Sequence, residues 1–278
     1  MTESWKFPMP KNHSRKSTHT AEIPHVHKQP KTSASRVRGI SCKARVIASH
    51  SLLGILFTIF CLPYIHAVDK EMARDEAQFD IYIAGTQIGK EKFVVLFSKD
   101  SVSTHSSADL HNLGDKHQNI EIETELKADS LFKPLAYQVH TEIDGQKGSI
   151  IGRFSEGQAI FEFSSDGNPS KRGLLVGDRY IILDTNVFHH FIFVARLFDL
   201  DSNKESQSFE VIVPQELNNG ILNVSETGIE KIQVSGEKRI LHRLKADSGV
   251  VSIDLWIDDR GILYKIALPD KQVEVIRR

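Results

Sequence analysis

From Phe79 onward, apolar and polar positions alternate with a period of two over short runs. Ile120-Glu121-Ile122-Glu123-Thr124-Glu125-Leu126 sets three glutamates on one face and the apolar groups with Thr124 on the other. The same alternation runs through Tyr137, Val139, Thr141 and Ile143, through Phe209, Val211 and Val213, and through Ile262, Tyr264, Ile266 and Leu268. Such runs predict strands with one buried and one wetter face. Asp144-Gly145, Asp166-Gly167-Asn168-Pro169, Asn219-Gly220, Ser235-Gly236 and Asp259-Arg260-Gly261 punctuate them. Glycine supplies positive φ there and Asp or Asn tolerates it, so these predict hairpin turns. The pattern predicts a mainly β chain of about eleven short strands in antiparallel meanders.

One segment departs from period two. Asp184-Thr185-Asn186 is a helix-start cluster, and residues 187–198 after it are apolar almost all round. Asp or Asn can cap the free N–H groups at such a start. The segment predicts one central helix about 20 Å long, lying inside or across the concave face of the sheet. A strand is the competing reading, because Phe, Ile and Val also favour sheets.

Charge divides the chain differently. Residues 1–50 carry ten lysines and arginines against Glu3 and Glu22, and residues 51–67 carry no charged side chain. The near-neutral total of −1 therefore hides a basic tail and an acidic body. Residues 1–47 are rich in His, Ser, Thr, Lys and Pro and predict a disordered region. The positive-inside rule explains their charge better than nucleic-acid binding does, since Ser51–Ile65 follows as an apolar stretch. Residues 48–67 fit a signal peptide, with Pro63 near the end and Ala67 at the cleavage position. They also fit an uncleaved anchor that keeps membrane contact. Either way residues 68–278 form a single exported β-rich domain, in the periplasm or cell envelope. Its cysteines, Cys42 and Cys61, both precede the domain, so no disulfide staples it.

Candidate chemistry is sparse. His105, His111 and His117 recur every six residues and His189-His190 are adjacent, spacings unlike a metal site. They read as surface or turn histidines, except His190, which on a buried helix needs a hydrogen-bond partner. No nucleophile elbow, phosphate loop or dinucleotide fingerprint occurs. Glu121, Glu123 and Glu125 read as a solvated face. No catalytic residue, metal or cofactor is expected, and a hydrolytic enzyme ranks third among the readings. Trp256 falls on the strand face opposite Ile253, Leu255 and Ile257, so both faces carry large apolar groups. One face can then be core and the other the wall of a cavity for an apolar ligand.

Phe79-Asp80-Ile81-Tyr82-Ile83-Ala84-Gly85-Thr86-Gln87-Ile88-Gly89 resembles the first hairpin of an uncharacterised group of bacterial periplasmic proteins of unknown function. Leu183 to His190, Val213-Pro214-Gln215-Glu216 and Leu255 to Pro269 resemble later segments of the same group. The strand-rich layout with a central helix is also similar to that of the lipoprotein-localisation carriers. That resemblance implies an open, curved antiparallel half-barrel with a hollow for acyl chains, though a fold does not assign a function. The leading expectation is an envelope protein holding a lipid or other apolar molecule, with Trp256, His190, Phe191 and Phe188 at the ligand. The competing class is a structural or protein-interaction module of the envelope, its hollow filled by its own side chains.

Overall fold

The computed structural model describes residues 73–113, 118–165 and 167–278. The readings of residues 1–47 and 48–67, and the boundary at residue 68, lie outside the described residues. Among the described residues no helix is long and apolar enough to cross a membrane.

The described strands number fifteen, not about eleven, and all join one sheet. The first meander runs through β1 (Ala73–Ile83), β2 (Thr86–Phe97), β3 (Ser101–Leu113), β4 (Gln118–Asp129), β5 (Pro134–Ile143), β6 (Gln146–Ser155), β7 (Gln158–Ser165) and β8 (Asn168–Leu175). The second begins with β9 (Ile181–Ile182) and β10 (Gln207–Val213), then β11 (Asn218–Val234) and β12 (Glu237–Asp247). It ends with β13 (Ser252–Ile257), β14 (Leu263–Leu268) and β15 (Val273–Arg277). Every strand in each meander pairs with its sequence neighbour, and β1 pairs with β15 to join the two halves. All pairings are antiparallel except β9 with β10, which is parallel.

Alternation determines which face is buried. Along β4, Ile122, Thr124, Leu126 and Ala128 are buried while Glu121, Glu123 and Glu125 are exposed, as their spacing predicts. Turn chemistry fixes the hairpins: Asp144 and Gly145 both hold positive φ, as do Ser235 and Gly236. Asn219-Gly220 is a correction. It lies inside β11, opposite Ile212 and Val211, and the chain reverses instead through the 3-10 turn Pro214–Glu216 and Leu217 at φ 48°. Proline at the start of that turn presets the bend before Asn219 is reached.

The sheet curls so that the end of β8 and the residues after it reach β10 and β11. The Leu175 carbonyl at the end of β8 accepts from Asn219 Nδ2 at 3.0 Å. The Gly177 N–H donates to Glu210 Oε1 of β10 at 3.0 Å. The predicted helix is present but shorter than residues 187–198. A 3-10 turn, Phe188–His190, leads into α1, Phe191–Leu197. Val187 and His190 stand at the N-cap positions and neither side chain caps its helix, while Asp184 Oδ1 is engaged by the Thr185 and Gln215 N–H groups. Phe191, Ile192, Phe193 and Val194 are buried within the main core, with Phe79, Phe93, Tyr137 and Phe161 from the sheet. The helix thus plugs the curl.

A second, smaller core lies apart from the first and contains Trp256, Val234, Leu241 and Ala267. A bulge between Glu226 and Gly228, with Gly228 at φ 142°, reverses the facing of β11 beyond it. The tip of the β11–β12 hairpin is tied back by Ser235 Oγ to the Arg277 carbonyl.

Candidate functional site

The largest concentration of buried polar groups surrounds the start of the helix plug. In β2 the inward phase runs Gly89, Glu91, Phe93, Val95, so Glu91 enters the core while Lys90 and Lys92 stay exposed. Glu91 is 0 % exposed. Its Oε2 accepts the N–H groups of Phe188 and His189 at 2.9 and 3.1 Å, and Oε1 lies 2.7 Å from His189 Nδ1. On the far side of the ring, His189 Nε2 lies 3.1 Å from Thr104 Oγ1 of β3. One carboxylate therefore satisfies both free backbone donors of the first turn and one imidazole nitrogen. Below the same wall, Ser106 and Thr124 bond each other at 2.8 Å, closing the polar strip across β3 and β4.

A second group follows on the other side of His190. Tyr137 of β5 donates to Asp184 Oδ2 at 2.6 Å. Asp184 Oδ1 accepts from Thr185 and Gln215, and Gln215 Nε2 donates to the Thr185 carbonyl at 3.0 Å. His190 Nδ1 accepts the Asp184 N–H at 3.3 Å, so the neutral ring carries its proton on Nε2. That Nε2 is buried and has no hydrogen-bond partner among the described residues. The His189 and His190 rings lie 4.5 Å apart, and His190 stacks on Phe193 at 5.7 Å.

Burial governs the protonation of this group. Desolvation pushes the Asp184 carboxyl up to about 6, against the pull of its hydrogen bonds from Tyr137, Gln215 and Thr185. Burial, then the Asp184 charge, raises the Tyr137 phenol well above its ordinary value. Burial and the neighbouring His189 hold His190 well below the usual histidine range. These groups are buried, and their bonds clasp the plug to the wall.

A pocket of about 20 Å³ lies beside the plug, lined by Asp184, Phe191, Val213, Leu222, Val251 and Ile253 among others. That is room for about one water molecule. Of the residues the sequence proposes for a ligand, Phe188, Phe191 and His190 gather on the plug, and Phe191 reaches this pocket. Trp256 does not join them. Its indole N–H donates to Glu230 Oε2 at 2.9 Å in the second core, with Arg243 and Lys265 over its ring. His105 and His111 are exposed as expected, whereas His189 is fully buried, a correction to its reading as a surface or turn histidine. Among the described residues no group of three or more potential metal ligands converges.

Sequence reasoning missed Glu91, Tyr137–Asp184 and Thr104. The signal for Glu91 was present: it shares the phase of Phe93 and Val95. The flanking lysines masked it as a charged run. The Tyr137–Asp184 bond joins residues 47 apart and leaves no local trace.

No family model and no curated protein matches the chain. A solved structure similar to it is the β-barrel-like protein of domain of unknown function DUF1849 from Brucella abortus, at 10 % identity and a TM-score of 0.49. The match covers 74 % of this chain and 95 % of that one. So remote a likeness has no bearing on function, nor on a periplasmic setting or a kinship with the lipoprotein-localisation carriers.

Proposed function

We propose that the chain is a structural or protein-interaction module of the cell envelope, its β half-barrel filled by its own side chains. The observation that carries this reading is the plug. Residues 188–197 occupy the curl of the sheet, and Glu91 fastens them there through two backbone N–H groups and His189. The pocket left beside Phe191 is about 20 Å³, whereas small-molecule sites enclose about 300–1,000 Å³. Export to the envelope is supported by the apolar Ser51–Ile65 segment behind a basic tail. The test is organic extraction of the purified full chain with mass spectrometry of the extract. The expected result is no lipid near one molecule per chain, and a lipid held at that ratio would overturn the reading.

A second reading keeps the apolar ligand. The walls of the Phe191 pocket are nearly all apolar, so a shift of the plug would open an apolar hollow there. Phe191→Ala would enlarge that space. If the variant takes up a fatty acid that the parent does not bind, the hollow is latent. If the parent itself binds one stoichiometrically, the carrier reading replaces the filled barrel.

A further inference from the structure

We propose that the free edge of β8 is a docking site for an extended segment of a partner protein that carries two consecutive acidic residues. This rests on the interaction-module reading and names the surface it would use. β8 ends the strand order of the sheet, so among the described residues one of its two edges has no ladder partner. The register shows which groups that edge offers. Ser165 and Asn168 face each other across a two-residue turn, so the even-numbered residues of β8 bond to β7. Val176 follows the same phase, donating to the Gly157 carbonyl. The odd residues therefore present their backbone groups outward. Pro169 has only a carbonyl to give, Lys171 and Gly173 give both groups, and Leu175 gives its N–H, its carbonyl being held by Asn219. The available ladder is thus bounded at both ends.

Charge and shape select the occupant. β8 has no acidic residue, and its Lys171 and Arg172 are both exposed. Lys171 leans on Glu162 of β7 at 3.4 Å, but Glu162 is shared with Arg153 at 2.7 Å. Successive side chains point to opposite faces, so a strand added to this edge meets Lys171 on one face and Arg172 on the other. Consecutive carboxylates answer both. Leu175, 82 % exposed, lies on the Lys171 face four positions on, and favours an apolar residue four positions from the first carboxylate. A second copy of β8 is disfavoured, because antiparallel pairing would bring Lys171 and Arg172 against their own counterparts and Pro169 cannot donate. The chain's own residues 1–50 carry the same sign of charge as Lys171 and Arg172, and are disfavoured likewise. Docking of this kind is strand addition, with main-chain bonds supplying affinity and side chains the selection.

The experiment titrates the full chain with an eight-residue threonine–valine peptide containing two adjacent glutamates, and with its two-lysine counterpart. Amide hydrogen exchange is read residue by residue. The expected result is binding of the glutamate peptide with protection of the Lys171, Gly173 and Leu175 amides. The lysine peptide, and the double variant Lys171→Glu with Arg172→Glu, should bind about tenfold more weakly or worse, the size of two reversed cross-strand charge pairs. Near-UV circular dichroism of the double variant confirms that it is folded, and Gly173→Pro removes one edge donor without altering charge. Absence of binding by the glutamate peptide, protection mapped elsewhere, equal binding of both peptides, or β8 protection that rises with protein concentration alone would each overturn the proposal. A lipid found by extraction would instead sink the filled-barrel reading and leave this edge untouched.

Discussion

Glu91 lies between two solvated lysines yet is sealed in the core, and its loss isolates the worth of the clasp. Glu91→Ala strands two backbone N–H groups and one imidazole nitrogen, and should cost about 3–5 kcal/mol in urea unfolding. A loss below 1 kcal/mol, in the range of a surface ion pair, would mean that the plug is held by packing alone. Phe191→Asp buries an unpaired charge against the sheet and should cost more than about 3 kcal/mol, enough to lower the melting temperature sharply. An unchanged melting temperature would contradict the burial of residue 191. Asp184 gives a pH test whose sign can be fixed. Its folded pKa of about 6 stands above the ordinary carboxylate value, so its contribution is full below about pH 4 and is lost as pH rises through 6. His190, held low, works oppositely: its contribution is present above about pH 6.5 and lost on acidification. Asp184→Asn should therefore lose stability more steeply than the parent between pH 7.5 and 4.5, by about 2 kcal/mol. Parallel pH profiles of the two proteins would remove Asp184 from that role. Of the clasp, only His190 was legible in the sequence, because an apolar helical run with one imidazole advertises a buried polar group. Asp184 owes its role to a contact with residue 137, far off in sequence, and Glu91, though in phase with Phe93, was masked by the lysines beside it.

At the scale of elements, legibility followed local signal strength. β4 was readable because glutamates and aliphatics alternate along it, and the hairpins at Asp144-Gly145 and Ser235-Gly236 because a polar residue before glycine is a common signature of two positive φ values. The strand count fell short because β9 has two residues and β8 hardly any apolar phase. Bulges defeated the rest. Tyr264 was read in phase with Ile266, but the irregularity at Trp256/Ile257 leaves Tyr264 against the second core and Ile266 in the first. The β11–β12 hairpin carries its own pin, His242, with Nδ1 2.7 Å from Glu226 and Nε2 2.9 Å from Asp259. Partial burial pulls its pKa down, and the two carboxylates outweigh that and hold it above the ordinary value. The pin is therefore complete below about pH 6.5 and weakens as pH rises through the raised value. Trp256 beneath the hairpin should report this as a red shift with rising pH, read in a Trp5→Phe background so that one indole emits. His242→Gln should flatten the trace, and a parent trace that is already flat would show that the hairpin does not depend on the charge.

For the whole molecule, the decisive feature is that, among the described residues, the two meanders share a strand ladder only where β1 lies against β15. Within each meander a strand finds its partner as soon as the next one is made. The central seam is different, since Asp80 and Arg278 are 198 positions apart in sequence and bond across it. β1 has no partner on its second edge until β15 has been synthesised, so time enters the fold at a single place. A chain that starts after the loop 176–180 and ends with β8, with Arg278 joined directly to Ala73 by six to eight added glycines and serines, would make every neighbour sequential, since the pairing of Phe79 with Arg277 leaves about 20 Å to span. Its refolding in stopped-flow should then be faster than the parent's at equal stability, because closing a long loop precedes the reward of the contacts it brings. Equal rates would mean that the chain commits to its fold before the seam is sewn. A faster permutant would mean that the natural order of the strands keeps the protein waiting, open and unfinished, until β15 arrives.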